Sequence, residues 1–370
     1  MAEPQASPHD SLIDQLEDAV SGKSIGRRAD VLKRITDLFL LNSGKYTEMQ
    51  IDLFDAVMSR LVDSVEVASR AEFGNRLAGM SDAPKGVVRL LAFDEAIEVA
   101  APILTQSERL SEADLIRNAE TMSQEHLLAI SKRRELKEGL TDVLVTRGNR
   151  EVLVSTATNQ GSRFSAPGLD RLVDKAGSDD RLALSVWSRP DVPRQQMVRL
   201  FQQASEGLRK QLEAAHPRHA NSIRAAVSIA AERVQAIARA GSPQSREAIA
   251  TLRALHAKGD LDEATLLHLV EENNFDGVAT ALSLLCDLPI GTVERALSRG
   301  RYEQILLFAK ALRMSWPTTL ALIRFQAGRT PVAQADADRY FASYSRMQAK
   351  TALTALQFYR LRENASRPHP

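Results

Sequence analysis

LDEATLLHLVEENNFDGVATALSLLCD (Leu261–Asp287) runs directly into LPIGTVERALSRGRYEQILLFAKALR (Leu288–Arg313), and the two stretches superpose at a shift of 27 residues. Leu266 falls on Val293, Val270 on Leu297, Phe275 on Tyr302, Val278 on Ile305, Ala281 on Phe308 and Leu285 on Leu312, apolar on apolar throughout. Inside each stretch the apolar residues recur every three or four positions, with one break near Asn273-Asn274 or Arg299-Gly300. That is the pattern of two short amphipathic helices joined by a tight turn.

Each stretch also opens on the same word: an apolar residue, a capping residue or proline, three variable residues and a second apolar residue. It recurs at Tyr46-Thr47 with Ile51, Leu110-Ser111 with Leu115, Phe164-Ser165 with Leu169, Val192-Pro193 with Met197, Leu261-Asp262 with Leu266 and Leu288-Pro289 with Val293; Leu136-Lys137 with Leu140 is one residue shorter. A hydrophobic staple needs this spacing, because the apolar residue before the N-cap packs on the fourth helical residue while the residue after it caps orphan N–H groups or, as proline, has none to waste. Thr47 with Gln50 and Ser111 with Asp114 add a box-like partner. Leu110 to Leu136 spans 26 residues, Leu136 to Phe164 28, Phe164 to Val192 28, Leu261 to Leu288 27 and Leu288 to Met314 26. A near-constant stride is the mark of stacked repeats. Helices of about two to three turns are unstable alone, so they must lean on their neighbours, each repeat touching the next.

The second helices of the earlier repeats carry the apolar runs Leu127-Leu128-Ala129-Ile130, Val152-Leu153-Val154 and Leu182-Ala183-Leu184, which suit helices sandwiched on both sides. The fold expected is all-α: an α–α superhelix of short-helix repeats of about 27 residues, interrupted by a longer helical hairpin. Residues 1–10 read as a flexible leader, 11–105 as a helical cap in which Pro84–Glu98 is an irregular repeat, 106–192 as a first array, 193–241 as the hairpin, 242–362 as a second array and 363–370 as a flexible tail. In the hairpin, Pro193–Ala215 is stopped at His216-Pro217. Its partner, Ser222–Ala240, carries a heptad-like seam of Ile223, Val227, Ala230, Val234 and Ile237, which either packs within the chain or forms a dimer.

Composition agrees with helices: 370 residues, 44% hydrophobic but only 5% aromatic, 18 Gly and 14 Pro. With 48 Lys and Arg against 47 Asp and Glu, the net charge of +1 gives no global drive toward nucleic acid or anionic lipid. One cysteine excludes an internal disulfide, and the first residues, MAEPQASPHD, have neither a basic nor an apolar signal region, so a cytoplasmic location is expected. No run approaches the roughly 18 apolar residues of a membrane span.

Catalytic signatures are sparse. Cys286 lies in the apolar run Leu284-Leu285-Cys286, the setting of an inert thiol. His268 with Glu271 and Glu272, or His216 with His219, offers at most part of a metal site, since a closed zinc site wants four ligands and an open one three. No metal and no cofactor is expected. Basic residues do cluster: from Pro193 to Gly241 eight Lys and Arg face three Asp and Glu. Arg133, Arg134, Arg189, Arg194 and Arg199 form the candidate interaction surface, readable either as a phosphate-gripping stripe or as a solvated face whose stems cover apolar surface.

The run LLAISKRRELKEGLTDVLVTRGNREVLVSTATNQGSRFSAPGLDRLVDKAG (Leu127–Gly177), followed by RLALSVWSRPDVP (Arg181–Pro193), resembles an uncharacterised bacterial family known as domain of unknown function 2336. The words that carry the likeness are TDVLV-x-RG-x-REVL, N-x-G-x-x-FS and R-P-D-V-P, and the likeness extends over roughly Arg27 to Phe358. It implies HEAT-like helical repeats and no established activity or site residue. The function expected is therefore a non-enzymatic scaffold binding a protein partner. The alternative is a nucleic-acid-binding repeat protein using the five arginines.

Overall fold

The computed structural model describes residues 25–241, 243–298, 302–328 and 331–365. The expected leader (1–10), residues 11–24 of the expected cap, the break at Arg299-Gly300 and residues 366–370 of the expected tail lie outside the described residues. Among the described residues there are 21 α-helices, one 3-10 turn and no β-strand, so the fold is all-α. The chain divides into two compact units, residues 1–168 and 169–370. Each has its own apolar core.

In the first unit, α1 (Ile25–Leu41), α2 (Glu48–Val62) and α3 (Val67–Leu77) precede α4 (Lys85–Ala92), α5 (Ile97–Gln106), α6 (Glu112–Thr121), α7 (Gln124–Ser131), α8 (Glu138–Arg147) and α9 (Arg150–Thr158); α10 (Ala166–Ala176) crosses the division. The helix starts fall where the staples put them. Thr47 caps α2 in a full capping box with Gln50, and Ser111 accepts from the Asp114 N–H to cap α6. Lys137 precedes α8 without a side-chain cap. Its staple residue Leu136 is instead tied into a bridge, its N–H donating to Gly161 O at 3.1 Å and its carbonyl accepting from Arg163 N at 2.8 Å.

The segment Pro84–Glu98 is more regular than its sequence suggests. α4 starts 27 residues before α6, led by the fully buried Ala83 and closed by the fully buried Val88. Alanine is too small to register as a staple. The first-turn N–H groups of Gly86 and Val87 are capped by Asp55, from α2, at 2.9 and 2.7 Å. Successive pairs then stack in two rows, α3 on α5 on α7 on α9, and α2 on α4 and α6 on α8.

The second unit holds α11 (Asp180–Trp187), α12 (Arg194–Ala215), α13 (Ala220–Gly241), α14 (Pro243–Lys258), α15 (Glu263–Glu271), α16 (Phe275–Cys286), α17 (Ile290–Ser298), α18 (Tyr302–Ala311), α19 (Trp316–Gln326), α20 (Gln334–Arg346) and α21 (Ala349–Ala365). α15 and α17 are related by a shift of 27 at both ends, and α16 and α18 share it at their starts. Asp262 caps α15 and Ser315 caps α19. Pro193 stands at the N-cap of α12 with φ −58° and ψ 147°, one position earlier than the first helical turn, where proline is most at home.

The helix ends repeat as well. Asn273, Asp287 and Arg313 adopt left-handed φ of 54, 51 and 57°. The residue after each donates its N–H five residues back, Asn274 to Leu269 O, Leu288 to Ser283 O and Met314 to Ala309 O, at 2.9–3.0 Å. These are Schellman closures, which return the chain for the next staple. Contact only between neighbouring repeats, expected of a stack, describes the first unit better than the second. There α15 also meets α19, and Glu263 Oε1 accepts from Ser315 N and Oγ at 2.8 and 2.6 Å, two repeats on. Leu184, placed by its sequence in a sandwiched helix, is 68% exposed.

Candidate functional site

The five arginines do not form one free basic surface. Arg133 donates to Leu104 O at 2.6 Å and Ser107 O at 2.8 Å, closing the carbonyl end of α5 one repeat earlier, and burial pushes its pKa down. Arg189 is 3% exposed and held by both carboxylate oxygens of Asp191 at 2.8 and 2.7 Å. Arg199 pairs with Asp174 at 2.5 Å and Asp170 at 3.6 Å. Arg194 faces Glu294 at 3.5 Å and Asp276 at 3.8 Å. Arg134 is exposed.

Arg194 belongs to a buried clamp that residue patterns did not reveal. Arg239, near the end of α13, meets Glu294 at 2.5 Å, so two arginines from the hairpin converge on Asp276 of α16 and Glu294 of α17. Glu294 is 1% exposed. Burial pushes the Glu294 and Asp276 pKa values up, and the two guanidinium groups pull against it. Gln195 fastens the start of α12 further, its amide N–H donating to Leu297, Phe325 and Gln326 carbonyls at 3.1–3.3 Å. The partners lie 55 to 131 residues apart. No local spacing could have paired them. The nearest signal was a charge inside each apolar face, Asp276 beside Phe275 and Glu294 beside Val293.

The hairpin's apolar seam divides. Ile223 and Val227 are half-buried, whereas Ala230, Val234 and Ile237 are exposed, Ile237 to 65%, with Ile229 also in the open. The line that turns inward is Val227, Ala231, Gln235 and Arg239, one residue round the helix from the seam. The buried line carries an amide and a guanidinium, so apolar periodicity alone does not mark it.

The words of the TDVLV-x-RG and N-x-G-x-x-FS stretch are structural ties. Thr141 Oγ1 donates to Arg163 O at 2.6 Å, Ser165 Oγ to Asp142 at 2.7 Å, and Arg147 to Ala119 O, closing α6 as Arg133 closes α5. Asn159 donates to Ser131 O and Arg133 O at 2.9 and 2.7 Å. A Cβ at Gly161 would stand 1.8 Å from Arg134 O, so only glycine allows that approach.

Elsewhere the chemistry is quiet. Cys286 is fully buried, and burial pushes its pKa up to about 12. His268 reaches Glu272, at 3.3 Å. Among the described residues no three His, Cys, Asp or Glu side chains are placed to hold a metal ion, and no helix is long and apolar enough to cross a membrane.

Short helices, two of them (α5 and α6) closed at their carbonyl ends by arginines from later in the chain, define an all-helical protein among the described residues. The chain belongs to the family described as an uncharacterised protein conserved in bacteria (DUF2336), whose model matches residues 99–357. No curated protein and no solved structure matches it.

Proposed function

We propose that this chain is a non-enzymatic scaffold that binds a protein partner, with the exposed face of α13 as its docking surface. The observation that carries the reading is the stripe of Ala230, Val234 and Ile237, exposed at steps of four and three residues beside Ile229. Such a stripe is what a helix offers to an apolar groove. The nucleic-acid alternative draws less support, because Arg133, Arg189, Arg194 and Arg199 already spend their charge on carbonyls and carboxylates of this chain.

A photo-crosslinking residue at Ile237 should capture one discrete protein in native lysate, and Val234→Asp should abolish the capture without lowering Tm. A crosslinked product of twice the chain mass would make the partner a second copy. Failure of capture, together with duplex DNA binding at about 50 mM salt that weakens steeply as salt rises, would replace this reading with the nucleic-acid one.

A further inference from the structure

Between α12, α13 and α17 lies a cavity of about 550 Å³, within the size range of small-molecule sites. Gln235 lines it and is only 8% exposed, yet among the described residues neither its amide oxygen nor its amide nitrogen has a hydrogen-bond partner. The amide nitrogen of Gln202, on the facing helix, is likewise buried in the cavity wall without one. Buried amide groups left unmatched oppose folding, so an amide pair held this way is arranged for something else. The rest of the lining is mixed: Val198, Phe201, Val227 and Ala231 supply apolar walls, Phe201 offering a flat ring.

Charge decides the ligand's class. Arg209, Arg224 and Arg295 are balanced by Glu206, Glu232 and Glu294 in the lining. Arg209 and Arg224 are occupied with Glu213 at 3.5 and 3.3 Å, and Arg295 with Thr292 Oγ1 at 2.8 Å. Glu294 is already raised by burial and answered by Arg239 and Arg194. An added anion would meet no arginine there without a partner already in place, and Glu232, exposed in the lining, would repel it. A glutamine side chain presents one acceptor and two donors side by side, matching the edge of a carboxamide or of adenine.

We infer that the cavity between α12, α13 and α17 is a binding site for a small, neutral, planar ligand with an amide-type donor and acceptor edge, read by Gln235 with Gln202 and walled by Phe201. The site is independent of the docking face of α13.

The test uses the full chain, with nicotinamide and free adenine as probes and nicotinic acid as the charged counterpart, titrated by calorimetry up to about 10 mM. Nicotinamide binding about ten-fold or more tighter than nicotinic acid supports the site; binding of adenine alone supports a nucleobase edge, and of nicotinamide alone a carboxamide. Gln235→Leu should weaken binding about ten-fold or more, the loss of a matched hydrogen-bond pair, while raising the Tm of the unliganded protein. That rise separates a ligand-reading amide from a structural one, whose removal lowers Tm. No binding of either neutral probe, equal binding of nicotinic acid, or a Tm lowered by Gln235→Leu with binding unchanged overturns the inference and leaves a water-filled cavity.

Discussion

Arg133 and Arg134 are neighbours in the chain and read alike in the sequence, as two cations in a basic run. One of them folds back onto Leu104 O and Ser107 O, the other faces water. Hydrogen bonds from a charged donor that satisfy otherwise orphaned carbonyls contribute about 1.5–3 kcal/mol. Arg133→Met should therefore lower stability by about 2 kcal/mol in urea unfolding, and Arg134→Ala should stay within about 0.5 kcal/mol of the parent. Equal effects would remove the distinction between them. Composition cannot tell a carbonyl-closing arginine from a solvated one, because the difference lies in where a neighbouring repeat ends. For the same reason nothing in the sequence singles out Arg147, although it closes α6 on Ala119 O in the same way.

At the scale of the helix and its ends, the sequence was legible wherever two physical demands coincide on one residue type. Leu261, Leu288 and Met314 are buried immediately before the N-caps or first turns of α15, α17 and α19, so an apolar side chain and a capping partner mark each entrance. Helix exits were harder to read, because the left-handed residue there is usually glycine and here is Asn273, Asp287 or Arg313. Asparagine and aspartate tolerate that conformation; arginine gains nothing local to offset its Cβ clash, which costs about 1–2 kcal/mol. Arg313 is exposed. Arg313→Gly should raise stability by about 0.5–1 kcal/mol, the relieved strain exceeding glycine's larger entropy loss on folding. The check is a shift of the urea midpoint at unchanged slope. A lower midpoint would mean that the Arg313 side chain supports the turn.

For the whole molecule, the stride of 26 to 28 residues runs from Leu110 to Val192 straight through residue 168, so nothing in the periodicity marks the division there. The division shows in the burial: one core gathers residues from Val31 to Val152, the other from Val198 to Leu356. The chain's two tryptophans, Trp187 and Trp316, both belong to the second unit, whereas circular dichroism sees helices of both. If each core melts cooperatively, Arg133→Met should move the dichroism transition and leave the tryptophan midpoint where it was, and Glu294→Gln should move the tryptophan midpoint. The second variant also carries a pH signature. Burial raises the folded pKa of Glu294, so above the unfolded carboxylate value of about 4.3 the folded unit holds more protons than the unfolded chain, and this contribution to stability is lost as pH rises through the folded pKa. Asp262 and Glu263 act in the opposite sense. Hydrogen bonds from Thr265 lower the Asp262 pKa, and for Glu263 bonds from Ser315 and Thr318 outweigh burial, so their stabilisation is lost as pH falls. The tryptophan-detected midpoint of the parent, measured relative to Glu294→Gln, should thus decline from about pH 4.5 toward neutrality. A difference that grows with pH would show that the pull of Arg239 and Arg194 outweighs burial at Glu294. Coincident dichroism and tryptophan transitions in every variant would show a single cooperative unit in place of two.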